Sequence, residues 1–72
     1  MLVAMTFASD LAELSSLRAQ LDEVRDRVVG IATRYHETPD SAIASDLFEA
    51  ERALMSAGRV IDRAVGTLAE KA

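Results

Sequence analysis

The sequence predicts an all-α fold, an antiparallel two-helix hairpin of coiled-coil type that dimerises into a four-helix bundle. Two long stretches carry apolar residues at alternating steps of three and four, which places one apolar seam along each helix. The chain's only proline lies between these stretches. Half of the residues are hydrophobic, more than one hairpin of this length can cover, so a second copy is expected to cover the rest.

The first helix is predicted over about 7–36, and its seam has a residue at every expected step. Thr6 is the preferred N-cap, with Ser9 or Asp10 as the alternative because Glu13 then completes a capping-box-like pair with Asp10. The seam residues are Leu14, Leu17, Leu21, Val24, Val28, Ile31 and Tyr35.

A turn at 37–38 separates the two helices. Pro39 disfavours helical geometry in the residue before it and fits the first position of a new helix. Thr38 as N-cap, Pro39 as first helical residue and Asp40 near the positive helix end predict a second helix over about 39–68. Because the connection is so short, the helices are expected to be antiparallel neighbours within one domain that covers 1–72.

The second seam alternates large residues with alanine. Small residues at every seventh position let two helix backbones approach closely, with large neighbours interlocking around them. The residues of this second seam are Ile43, Leu47, Ala50, Leu54, Ala57, Ile61, Ala64 and Leu68.

At the other end of the chain, Met1 and Met5 are both possible start residues.

Self-association is expected to stabilise the fold of so short a chain. A single core in a chain of this length rarely contributes more than about 3–5 kcal/mol without disulfides, metal or oligomerisation. The sequence has no cysteine and one histidine. We expect a homodimer, or a complex with another protein, formed by apolar and small residues beside the seams. These interface residues are Leu11, Phe48, Met55, Val65, Ala53 and Gly58.

No enzymatic chemistry is predicted. His36 is the only histidine, and its place at the end of the first helix suits an ordinary interaction with the helix dipole. There is no cysteine nucleophile, no Glu-x-x-His pair of the kind that holds metals in bundles, and no glycine-rich phosphate loop. We therefore expect no catalytic or metal-binding residues, no cofactor and no small-molecule substrate.

Membrane association and secretion are not expected either. No stretch approaches the ~20 apolar residues that span a bilayer. Residues 1–5 are apolar, but they lack a positive charge and are too few for a signal peptide. The net charge of −4 gives no general attraction to anionic lipid or nucleic acid. The sequence predicts a cytoplasmic protein.

An arginine stripe provides the alternative function. Arg52, Arg59 and Arg63 follow one outer side of the second helix, where they would contact RNA or DNA. The plan is similar to that of the plasmid-encoded RNA-binding Rop family of short acidic hairpins, a resemblance of architecture without a shared residue motif. Acids at helical spacing argue for ordinary surface pairing instead. The expected pairs are Arg18 with Asp22, Glu23 with Arg27, and Glu49 with Arg52.

The sequence therefore predicts a small non-enzymatic interaction module that acts as a homodimer and serves as adaptor, scaffold or regulator. An RNA- or DNA-binding regulator is the second hypothesis. A bundle that binds an apolar ligand in its core is the third.

Overall fold

The computed structural model describes residues 2–71, with side chains described for residues 6–71. Helix α1 covers Leu2–Tyr35 and helix α2 covers Ser41–Lys71. The two helices pack side by side and antiparallel, and the described residues form helices and turns only. The backbone measures 59 × 15 × 10 Å. The long axis is about four times the next, as expected for two helices lying side by side.

Helix α1 begins earlier than expected, whereas helix α2 begins later, at Ser41 instead of Pro39, and also ends later. Helix α1 begins at Leu2, so Thr6 lies inside the helix and does not cap it. Its first residues include no glycine or proline, and nothing in their intrinsic preferences stops the helix earlier. Helix α2 continues past Leu68 to Lys71, through an alanine and a glutamate that both favour helix.

Residues 36–40 connect the helices, and Thr38 organises this turn. The hydroxyl of Thr38 donates to the carbonyl oxygen of Tyr35 at 2.6 Å and accepts from the backbone N–H of Asp40 at 3.2 Å. Helix α2 begins at Ser41, two residues later than the expected Pro39, so this second bond closes the turn before the helix and Pro39 is a turn residue. Glu37 has a φ of 59°, the left-handed conformation that commonly ends helices. The turn thus ends α1 and starts α2 within five residues.

The contact between the helices corrects half of each predicted seam. With the heptad letter a assigned to Leu21 and Leu54, the a positions of both helices are half-buried along the contact, except Tyr35 at the end of α1, which is exposed. The other predicted seam residues, three positions after each a, are heptad d. Most are exposed, and the contact instead uses heptad e, four positions after each a. The e residues are Leu11, Arg18, Arg25, Ala32, Ala44, Glu51, Gly58 and Val65.

The small residues next to the turn explain this rotation of about 50° for each helix. The short connection brings the helices close together at once, and only small side chains fit between them there. Ala32 and Ala44 flank the turn and are 0% and 1% exposed, the two hydrophobic residues that are fully buried within residues 6–71. Gly58 is also buried, farther from the turn. These three e positions therefore set which sides of the helices meet.

Gly30 and Gly66 are exposed within helices, and each could be replaced by alanine without a clash. A Cβ at either position would meet nothing within 4 Å. Alanine at either site should stabilise the fold by about 0.5–1 kcal/mol, because it loses less backbone entropy on helix formation. Urea denaturation of each variant checks the sign. A loss of stability at both sites would contradict the exposed helical environment. Gly58→Ala is the contrasting variant, because its Cβ would lie 2.8 Å from the Arg18 guanidinium carbon.

Candidate interaction surfaces

The hairpin is a flat layer with two broad sides. In an antiparallel pair, the same heptad position of both helices points to the same side, because the local two-fold axis is normal to the layer. We call the side that carries the d residues the front face and the side that carries the b residues, one after each a, the back face. The front face comprises Leu17, Val24, Ile31, Ile43, Ala50, Ala57 and Ala64, with the charged residues Asp10 and Lys71 at its open end. The back face comprises Asp22, Val29, Phe48, Met55 and Asp62.

The front face is apolar and open. Leu17 and Val24 are 44% and 45% exposed, and Ala57 beside them on α2 is exposed as well. Every large hydrophobic residue that the structure leaves exposed within residues 6–71 lies on this face or along its edge. These residues are Leu17, Val24, Ile31, Tyr35, Ile43 and Val60. A contiguous apolar surface of this kind marks an interaction site more often than isolated exposed residues do.

The back face is partly closed by its own side chains. Val29, Phe48 and Met55 are all half-buried. The ring of His36 meets the ring of Phe48 edge-on, with centroids 6.1 Å apart and an interplanar angle of 86°. Phe48 and Met55, the residues predicted to bind a second copy, thus already pack on the hairpin itself.

An ionic cluster also covers the back face. Arg18 extends from α1, donates from Nε to Asp62 of α2 at 2.9 Å, and pairs with Asp22 one turn along its own helix. Its guanidinium lies directly over Gly58. Hydrogen bonds to Asp62 and then Asp22 raise the pKa of Arg18 by stabilising its charged form. Within residues 6–71 this is the ion pair that joins the two helices.

The six predicted interface residues lie in three different places. Leu11 and Val65 are half-buried at e positions along the contact between the helices, and Gly58 is buried there. Phe48 and Met55 belong to the back face. Ala53 is exposed at the edge of the front face, six positions after an a residue. The structure therefore does not bring them together as one surface, and the sequence analysis missed Leu17, Val24 and Ile31 because it placed them inside the seam.

The arginine stripe is exposed and unpaired. Arg52, Arg59 and Arg63 are all exposed, and none forms an ion pair with a residue that the structure describes. The expected pair between Glu49 and Arg52 does not form, because both side chains extend into solvent on the outer side of α2.

Of the two pairs expected on α1, only one forms. Arg18 pairs with Asp22, whereas no ion pair joins Glu23 and Arg27 in the structure. Isolated surface pairs at this spacing contribute little free energy, which is why spacing alone does not ensure them.

A metal site and a membrane span are both absent from the described residues. Within this part of the chain, no three or more acidic or histidine side chains are grouped so that they could hold a metal ion. Neither helix, over residues 2–71, has a stretch long and apolar enough to cross a bilayer.

Comparison of the chain with models of protein families, with curated proteins and with solved structures found no match.

Proposed function

We propose that the chain is a small non-enzymatic protein–protein interaction module, an adaptor, scaffold or regulator, that acts as a homodimer in the form of a four-helix bundle in the cytoplasm. The observation that carries the proposal is the imbalance of burial. Six large hydrophobic side chains are exposed, whereas the fully buried hydrophobic residues of the described chain are two alanines. A single layer of two helices has no interior, and a second layer would create one.

The limited stability of so short a fold also favours self-association. Two packed helices without disulfide or metal gain little from burial, and oligomerisation is the remaining way to bury more apolar area. The chain has no cysteine, so no disulfide can supply the difference. Self-association is then part of the folded state, and its stability depends on protein concentration.

Sedimentation equilibrium tests the proposal. At micromolar concentration we expect a particle of twice the chain mass of 7.8 kDa, with a thermal midpoint that rises as the protein is concentrated. A monomer with a midpoint independent of concentration would overturn it.

Nucleic-acid binding is the second candidate, and the unpaired arginine stripe favours it. Arg59 and Arg63 lie one turn apart and are exposed, without an acidic partner in the described part of the chain. Lysine and arginine side chains that bind phosphates release counterions, so such binding weakens steeply as salt is added. The net charge of −4 opposes it.

A charge-matched pair of variants tests this second candidate. If the stripe binds RNA or DNA, Arg59→Gln with Arg63→Gln should weaken binding and reduce the salt slope by about 1–2, since each neutralised phosphate contributes about 0.9 to that slope. Ala12→Glu with Ala19→Glu on the outer side of α1 changes the net charge equally and is the control. Fluorescence anisotropy with short labelled duplexes gives both quantities. Equal weakening by both variants, or no binding at all, would remove the stripe as a site.

A further inference from the structure

We infer that the front face is the surface on which a second copy of this chain docks, which leaves the back face outside the dimer contact. The inference rests on the proposed self-association and identifies its surface. It differs from the arrangement expected from the sequence, in which Phe48 and Met55 of the back face form the contact.

The heptad pattern places the missing layer on the front side. In a four-helix bundle each helix touches two neighbours, and its a and d residues point between them toward the bundle axis. This hairpin uses a and e for the contact between its own helices. Its d residues, among them Leu17, Val24 and Ile31, remain exposed on the front side. A second layer placed there completes the a and d seam of both helices.

The surface area agrees with one such contact. The chain exposes 5302 Å², whereas a folded monomer of 7.8 kDa is expected to expose about 4,400 Å². The excess of about 900 Å² is close to the ~800 Å² that each partner buries in an interface of standard size. An excess of this size equals what one face of a second hairpin would cover.

The charges along the edge of the front face suit a second copy. One shallow groove on this side, near the turn, is lined by Arg27 and Arg34, and another, near the open end, by Asp10 and Glu13. If a two-fold axis puts the two turns at opposite ends, each basic groove meets the acidic groove of the other copy. If the turns lie at the same end, Arg34 lies near Asp46 of the second copy, since Asp46 is at the same edge of α2.

Variants of exposed front-face residues test the inference in the full chain. Val24→Asp and Ala57→Arg each place a charge in the proposed contact, at positions that the hairpin leaves exposed. We expect each variant to raise the dimer dissociation constant, measured by sedimentation, at least 100-fold. The circular dichroism of each variant should still be helical when it is measured at high protein concentration. Ser56→Arg, next to Ala57 but pointing away from the front face, is the matched control and should leave the constant within threefold.

The back face is tested in parallel with Met55→Gln, which keeps the size and helix preference of the side chain but removes its apolar end. Dimers that survive both front-face changes, or that dissociate with Met55→Gln alone, would overturn the front-face assignment while the proposed homodimer stands. A wild-type chain that sediments as a monomer would instead overturn the proposed function. If Val24→Asp fails to fold, Ala57→Arg still decides, because arginine is a good helix former.

Discussion

Replacing Ala44 by leucine should destabilise the hairpin by about 1–3 kcal/mol, the usual effect of adding methylene groups to a packed site. Ala44 is 1% exposed and lies at the start of α2, where the short turn holds the two helices close together. A leucine there has to push the helices apart or leave its preferred rotamer. A small fold gains only about 3–5 kcal/mol from its core, so the loss would be a large part of the total.

Ala42→Leu is the matched control for this prediction. Ala42 lies two residues earlier in the same turn of α2 and is exposed, so leucine there should change stability by about 0.5 kcal/mol or less. Urea denaturation at equal protein concentration compares the two variants with the wild type. Equal stability of the Ala44 and Ala42 variants would contradict the close packing of the helices beside the turn.

The helices and the turn were predictable because their signals are local. Thr38 and Pro39 mark a break between helices in any context, although α2 begins at Ser41, two residues after the expected start. The expectation that Thr6 caps α1 was wrong, because a capping residue permits a helix start without forcing one. The expectation of two packed helices without strands is confirmed for residues 2–71.

The faces of the helices were not predictable in the same way. A seam at a and d is what a four-helix bundle shows, whereas a hairpin alone has only one neighbour to meet. The pairing within the hairpin follows the small residues Ala32, Ala44 and Gly58, whose effect depends on three-dimensional distance. Arginine at an e position also argues against burial in sequence, yet the stem of Arg18 covers Gly58 while its charge bonds to Asp62.

The candidate surface was missed for a related reason. Leu17 and Val24 fit the repeat so well that the sequence predicts them in the contact within the hairpin, which leaves Phe48 and Met55 as the expected free apolar residues. The structure exchanges these two sets. Phe48 and Met55 pack on the hairpin, and the residues with the better repeat are exposed. A regular heptad predicts that a residue packs against another helix, but it does not identify that helix.

Removing the hydroxyl of Thr38 should also lower the stability of the fold substantially, because this hydroxyl makes one hydrogen bond on each side of the turn. It donates to the carbonyl oxygen of Tyr35 at the end of α1 and accepts from the N–H of Asp40, the residue just before α2. Thr38→Val removes both bonds with little change in shape. We expect a loss of about 1–2 kcal/mol, since each of the two hydrogen bonds contributes about 0.5–1.5 kcal/mol.

Valine is the informative replacement because the residue before a proline is held in an extended conformation, which valine also prefers. Any loss is therefore due to the hydroxyl and not to the backbone. Thr38→Ser keeps the hydroxyl and should retain most of the stability, since serine can make the same two hydrogen bonds. Thermal denaturation of both variants at one concentration gives the comparison. If valine and serine were equally stable, the hydroxyl of Thr38 would not hold the two helices at their junction.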